Sequence, residues 1–161
     1  MFGSASGGGT NWAFYGLGNA FLSGGTWQTS DEKFKTNILP ISNASSRLLQ
    51  LIPRQYEFDT NQYAYLNLPS GSQQGFLASN MQEVFPEMVK KVKVYKERPA
   101  PDKTNESIEF NAVNYTALIP VLTQAINEHT AEIIQLKKIV EEYKALILEQ
   151  KQILEQLKAP K

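Results

Sequence analysis

The 161-residue chain has no cysteine and a single histidine, His129. Without cysteine there are no disulfides, no thiol catalysis and no Cys-ligated zinc, and the redox compartment stays undetermined. One histidine leaves neither a Cys–His pair nor a His-rich metal site, so no metal or other cofactor is expected. Surplus charge is missing as well: 16 Lys+Arg stand against 16 Asp+Glu. Phosphate binding draws on a basic excess to release counterions, so nucleic acid is not an expected partner. No apolar run approaches the ~20 residues of a membrane span, so no membrane partner is expected either. The opening MFGSASGGG has neither the basic nor the apolar region of a secretory leader. What remains is a soluble chain whose length suits one domain, or a small domain with appendages.

Charge is also absent locally. The first 30 residues carry no charged side chain, yet hold eight of the ten glycines and, among them, Trp12, Phe14, Tyr15, Leu17, Phe21, Leu22 and Trp27. So short an apolar segment buries too little area to offset its backbone entropy alone. Aromatic and aliphatic pieces broken by Gly and Asn turns fit β structure completed by other chains. The competing reading is a disordered Gly-rich linker, against which the aromatics count.

Residues 30 to about 120 read as a compact α+β unit. SDEKFKTNILPI opens with a helix-start pattern: Ser30 as N-cap, with Asp31 and Glu32 at the positive end of the dipole. SNASSRLLQLI predicts a second short helix with Leu48, Leu49, Leu51 and Ile52 as its apolar side, ended by Pro53. RQYEFDT and NQYAYLNL read as strands from the alternation of Tyr56 with Phe58 and of Tyr63 with Tyr65, followed by a turn at Pro69-Ser70-Gly71. GFLASNMQEVFPEMV is a helix candidate with Leu77, Met81, Val84, Phe85 and Met88 at helical spacing. KKVKVYKE alternates with period two and faces SIEFNAV across RPAPDKTNE, which predicts a charged hairpin. Lys90, Lys91, Lys93 and Lys96 form either a basic binding stripe or a solvated strand face; the acids Glu97, Asp102, Glu106 and Glu109 favour the latter.

From Ile119 onward apolar residues recur in alternating steps of three and four. Ile119, Ile126, Ile133, Val140, Ile147 and Leu154 form one core set, and Leu122, His129, Leu136, Tyr143, Gln150 and Leu157 the other. Ile139, Leu146 and Ile153 widen the stripe. Residues 121–158 contain six Glu, five Lys, and neither Gly nor Pro. This predicts a long helix that must pair, and its broad β-branched stripe favours a trimeric coiled coil. Three His129 side chains on a trimer axis would hold a metal or anion, or simply fix register as a polar layer; Gln150 has the second role. The register reading is the preferred one.

Among catalytic patterns only Ser30 with Lys35 survives. A serine is a nucleophile with a lysine base when burial leaves the amine neutral. Spacing alone does not separate this from a helix cap and its neighbour.

SDEKFKTNI resembles the opening motif of the endosialidase-type intramolecular chaperones, in which Ser-Asp is followed at set positions by Arg or Lys, Lys, Asn or Asp, and Ile. These are autoproteolytic C-terminal modules of bacteriophage tail spikes and tail fibres, seen also in proteins resembling the myelin regulatory factor. Ser30, Asp31, Lys33, Lys35, Asn37 and Ile38 carry the motif, and LLQLIPRQYEFD, GFLASNMQEVFPEMV and VNYTALIPVLTQAINE extend the similarity to about residue 158. Lys33 stands where Arg is commoner, and Ser79-Asn80-Met81 replaces Gln-Glu-aliphatic. The resemblance implies a homotrimer that registers a parent β-fibre lying N-terminal to residue 30, then cuts itself off, acting in a virion tail fibre or in the host cytoplasm during assembly. It makes Ser30 the nucleophile and Lys35 the general base. Residues 1–29 become the end of the fibre shaft, 30–120 the chaperone and protease unit, and 121–158 the trimeric coiled coil. Attack by Ser30 on the Thr29 carbonyl passes through a five-membered ring, on its own carbonyl through a four-membered one. Thr29–Ser30 is therefore the expected scissile bond ahead of Ser30–Asp31. Amides of Asp31–Lys33 are candidate oxyanion donors, and Asp31 orients the turn. A non-cleaving trimerisation module and an attached receptor-binding tip using Tyr56–Tyr65 are the alternatives.

Overall fold

A computed structural model describes residues 28–96 and 106–158. The expected fibre end (residues 1–27 of it) and the hairpin loop 97–105 lie outside the described residues. The fold is mixed helix and strand, with two small antiparallel ribbons preceding a long C-terminal helix.

The described residues gather in two compact units, the first from 28–40 and 50–115, the second from 41–49 and 116–158. In the first, β1 (Arg54–Tyr56) pairs antiparallel with β2 (Gln73–Gly75), Gln55 facing Gln74. Helix α2 (Ala78–Val84) follows, then a 3-10 turn at Pro86–Met88. The hairpin of β3 (Val89–Tyr95) and β4 (Ser107–Val113) comes next, with Val92 opposite Phe110 and Lys93 opposite Glu109. Lys96 and Glu106 close its described end through a backbone hydrogen bond of 2.9 Å and a side-chain ion pair. The predicted alternation holds: Val92 and Val94 are buried, while Lys91 and Lys93 face solvent. Met81 and Phe85, one helical turn apart, are fully buried and join Leu51, Met88 and the two valines as the core of this unit.

Three readings of the sequence are corrected. NQYAYLNL is not a strand. The Asp59 carboxylate accepts the Gln62 amide at 2.9 Å, a 3-10 turn forms at Ala64–Leu66, and Asn67 ends it in the left-handed region at φ 48°. Local bonds therefore satisfy this backbone, and β1 takes Gln73–Gly75 as its partner instead. The second predicted helix is shorter than expected, α1 covering only Ala44–Leu48. Of the expected apolar side Leu51 is buried and Leu48 half-buried, whereas Leu49 (81 % exposed) and Ile52 are exposed; Ala44 is the buried residue of α1. Asn80 explains the early stop for residues 50–52, since its side-chain amide donates to the Gln50 carbonyl (3.2 Å) and its carbonyl oxygen accepts from the Ile52 amide (2.8 Å), holding them outside the helix. The third correction, at Ser30, belongs to the site.

In the second unit, α3 runs from Leu118 to Lys158, 41 residues and so about 60 Å at ~1.5 Å per residue. Pro120 sits within its first turn, where a missing N–H costs nothing. Leu118, Val121 and Ala125 are buried on one side of α3, which packs on α1. The heptad set occupies a neighbouring side, and Ile119, Leu122, Ile126, Ile133, Leu136, Val140, Tyr143, Ile147, Leu154 and Leu157 are all exposed in the single chain.

Candidate functional site

Residues 30–35 form one tight feature. A 3-10 turn spans Glu32–Phe34, and its N-cap is Asp31, not Ser30: the Asp31 carboxylate accepts the Lys33 amide at 3.0 Å. The turn closes through Phe34 N–H to Asp31 O (3.2 Å) and Lys35 N–H to Glu32 O (2.9 Å). It goes no further because Lys35 is already extended (φ −114°, ψ 143°), β-branched Thr36 follows, and Asn37 is left-handed at φ 52°.

This truncation brings the pair together. On an α-helix, residues five apart diverge around the axis. Here one 3-10 turn followed by an extended residue folds the lysine back, and Lys35 Nζ lies 3.0 Å from Ser30 Oγ and 2.8 Å from Ser30 O. Ser30, freed from capping, has its hydroxyl available to the amine. The carbonyl can only accept, so it takes one N–H. A neutral amine would retain a second N–H and a lone pair, the latter able to receive the Ser30 hydroxyl proton at the same separation.

Both residues are exposed in one protomer, and so is Thr29. Phe34 (66 % exposed) and Leu39 (80 %) are uncovered large apolar groups within the same segment. Of the three amides expected to serve an oxyanion, that of Lys33 is occupied by Asp31. The Asp31 carboxylate also meets Lys33 Nζ at 3.2 Å, an exposed pair of small energetic weight. Asp31 thus shapes the turn, its carboxylate engaging the amide and the amine of Lys33.

Elsewhere among the described residues, no group of three or more acidic or histidine side chains is arranged to hold a metal ion, and no helix is long and apolar enough to cross a membrane. His129 and Gln150 are exposed on α3. The hairpin lysines are partly answered by Glu106 and Glu109. Sequence reasoning missed Glu128, whose carboxylate binds the first turn of α1. Nothing local advertises a partner 83 positions away.

Comparison with known families follows this geometry closely. Residues 30–90, beginning at Ser30 itself, match the family described as chaperone of endosialidase. That segment is similar to the members of this family. The chaperone-of-endosialidase family carries a peptidase name, in keeping with a self-cleaving class of activity. No curated protein gives a significant match to the chain. Within the chaperone segment, the Ser30–Lys35 turn, both ribbon strands β1 and β2, and α2 with its buried Met81 and Phe85 all fall inside the matched residues.

Proposed function

We propose that the chain is an intramolecular chaperone that trimerises through α3, holds three copies of a β-stranded fibre in register, and then releases itself by Ser30–Lys35 autoproteolysis. The observation that carries this reading is the 3.0 Å approach of Lys35 Nζ to Ser30 Oγ at the first residue of the family match. The family match supports association with a parent protein. An intertwined three-chain β-fibre has non-local contacts and exposed strand edges, so it folds slowly and aggregates readily. A helical trimer next to it raises the local concentration of strands and fixes their stagger.

The trimer is supported by the exposed heptad side of α3, about 60 Å of apolar stripe on a helix of 41 residues. Exposed apolar stripes of this size call for a partner, and the breadth of the stripe favours three strands. Assembly would also serve the chemistry. A lysine acts as a base only when uncharged, and exclusion of water favours that form. Neighbouring copies would cover Phe34 and Leu39 and with them the dyad.

In the reaction, Lys35 Nζ takes the Ser30 hydroxyl proton as Oγ bonds to the Thr29 carbonyl carbon. The five-membered intermediate collapses with loss of the Thr29 C–Ser30 N bond, and the nitrogen receives the proton from Lys35. The resulting ester is hydrolysed by one water, leaving a Thr29 carboxylate, a restored Ser30 hydroxyl and a free Ser30 amine. A second reading is favoured by one contact: Lys35 Nζ lies 2.8 Å from the Ser30 carbonyl oxygen and would polarise the Ser30–Asp31 bond.

One experiment tests both. The full chain is run on a denaturing gel with and without Ser30→Ala, and the new ends are read by mass spectrometry. Scission that depends on Ser30 supports the enzyme, and a fragment ending at Thr29 or at Ser30 selects the bond. A chain that stays whole with Ser30 intact points to the non-cleaving module. Retained cell binding by the isolated C-terminal part would point to a receptor-binding tip.

A further inference from the structure

Helix α1 is five residues long and does not cap itself. Asn43, at its N-cap position, is left-handed (φ 54°, ψ 34°) and makes no side-chain bond to the first turn. An isolated helix of this length is unstable in water, and its first amides need partners. Glu128 of α3 supplies them. Its carboxylate accepts the Ala44 amide at 3.2 Å, the Ser45 amide at 2.9 Å and the Ser45 hydroxyl at 2.6 Å. The Gln124 amide, one turn earlier on α3, meets the same carboxylate at 3.3 Å. The cap of α1 is therefore borrowed from a residue that enters the chain 83 positions later.

The chain reaches α1 from Lys35 through residues 36–43, all of them exposed. Among the described residues, the first hydrogen bonds that tie down its far end are those of α1 to Glu128. We infer that Glu128 is a positioning residue for the cleavage: by capping α1 it makes ordering of the chain beyond Lys35 conditional on the first turns of α3. This inference rests on the autoproteolytic reading above and adds timing to it. During synthesis Ser30 and Lys35 emerge long before Glu128. Scission at that stage would part the fibre from its chaperone before any strands had been aligned. A dyad whose downstream anchor waits for α3 cuts only after the assembling helix exists.

The test uses the full chain with Glu128→Ala, Glu128→Gln and Ser45→Ala. Oligomeric state is followed by sedimentation, amide exchange by mass spectrometry over residues 44–49, and scission by a timed denaturing gel over pH 6 to 9. Glu128→Ala is expected to assemble as the parent chain does, to lose protection at 44–49 and to cut about tenfold more slowly, the scale of effect that misplacement of a reacting pair produces. Glu128→Gln keeps one carbonyl acceptor and recovers part of the rate, and Ser45→Ala loses least. The pH at which the rate is half-maximal stays put in all three, because geometry changes and the base does not. Scission of an assembled Glu128→Ala at the parent rate overturns the inference, and so does full protection at 44–49 in that variant whether or not the chain cuts. Should Glu128→Ala not assemble, Ser45→Ala decides by the same two readouts. Failure of the parent chain to cut, or undiminished scission by Lys35→Met, defeats the autoproteolytic reading instead.

Discussion

Lys35 Nζ stands 3.0 Å from Ser30 Oγ because a single 3-10 turn, and no more, separates them. Replacing the amine while keeping the stem, as in Lys35→Met, is expected to slow scission at least ~100-fold, the usual contribution of a positioned base. Lys35→Arg should fail similarly, since guanidinium does not give up its proton. Both sites are exposed, so thermal stability should barely change.

Gly75 and Tyr115 form a close pair. The Tyr115 hydroxyl accepts the Phe76 amide at 2.9 Å, and a Cβ on Gly75 would lie 2.6 Å from that oxygen. Gly75→Ala should destabilise by about 1–3 kcal/mol through overpacking, and Tyr115→Phe by about 1 kcal/mol through the lost hydrogen bond. Removing the hydroxyl opens room for the methyl, so the double variant should cost less than the two singles together. Urea denaturation of the four proteins measures this directly. A strictly additive result would show that β2 shifts to accommodate the methyl instead.

Phe85 and Met81 are completely enclosed. Truncation to Ala should cost about 3–5 kcal/mol for Phe85 and about 2–5 kcal/mol for Met81, the range for emptied cores. Chemical denaturation gives the values, and near-native stability in either variant would contradict their enclosure.

The Glu128 carboxyl is drawn from 4.5 to about 2, chiefly by the Ser45 hydroxyl and then the Ser45 amide, with Ala44 and Gln124 adding to it. A carboxyl whose folded value lies below its unfolded one stabilises the fold above the unfolded value and ceases to do so as pH falls through the folded one. Protection of residues 44–49 should accordingly be complete above pH 4.5 and fade as pH drops towards 2. Glu128→Gln should remove that acid-side dependence. Amide exchange across the interval checks it.

The elements easiest to read in advance were those whose periodicity agrees with their burial. The Val92/Val94 alternation predicted the hairpin, and the three-four spacing predicted α3, because each pattern matches the geometry of its own backbone. Failures lie where one side chain outvotes propensity. Asp59 and Asn67 turned a tyrosine-rich segment into local turns, and Asn80 bound the backbone of Gln50 and Ile52 where leucines had argued for helix. At the site the identities of Ser30 and Lys35 were evident, but their meeting was not, since it depends on a turn that stops after three residues. Glu128 was invisible for a different reason: a cap contributed from afar leaves no mark on the segment it completes.

The brevity of the Asp31-capped turn has a lasting effect on what each product inherits. Nucleophile and amine both lie downstream of the Thr29–Ser30 bond, so a cut there sends the whole apparatus away with the departing piece. On the proposed reading the upstream piece would keep a threonine carboxylate and neither member of the Ser30–Lys35 pair. The outgoing fragment would carry both groups but no longer the bond they act on, so a device of this kind would be limited to a single stroke in cis.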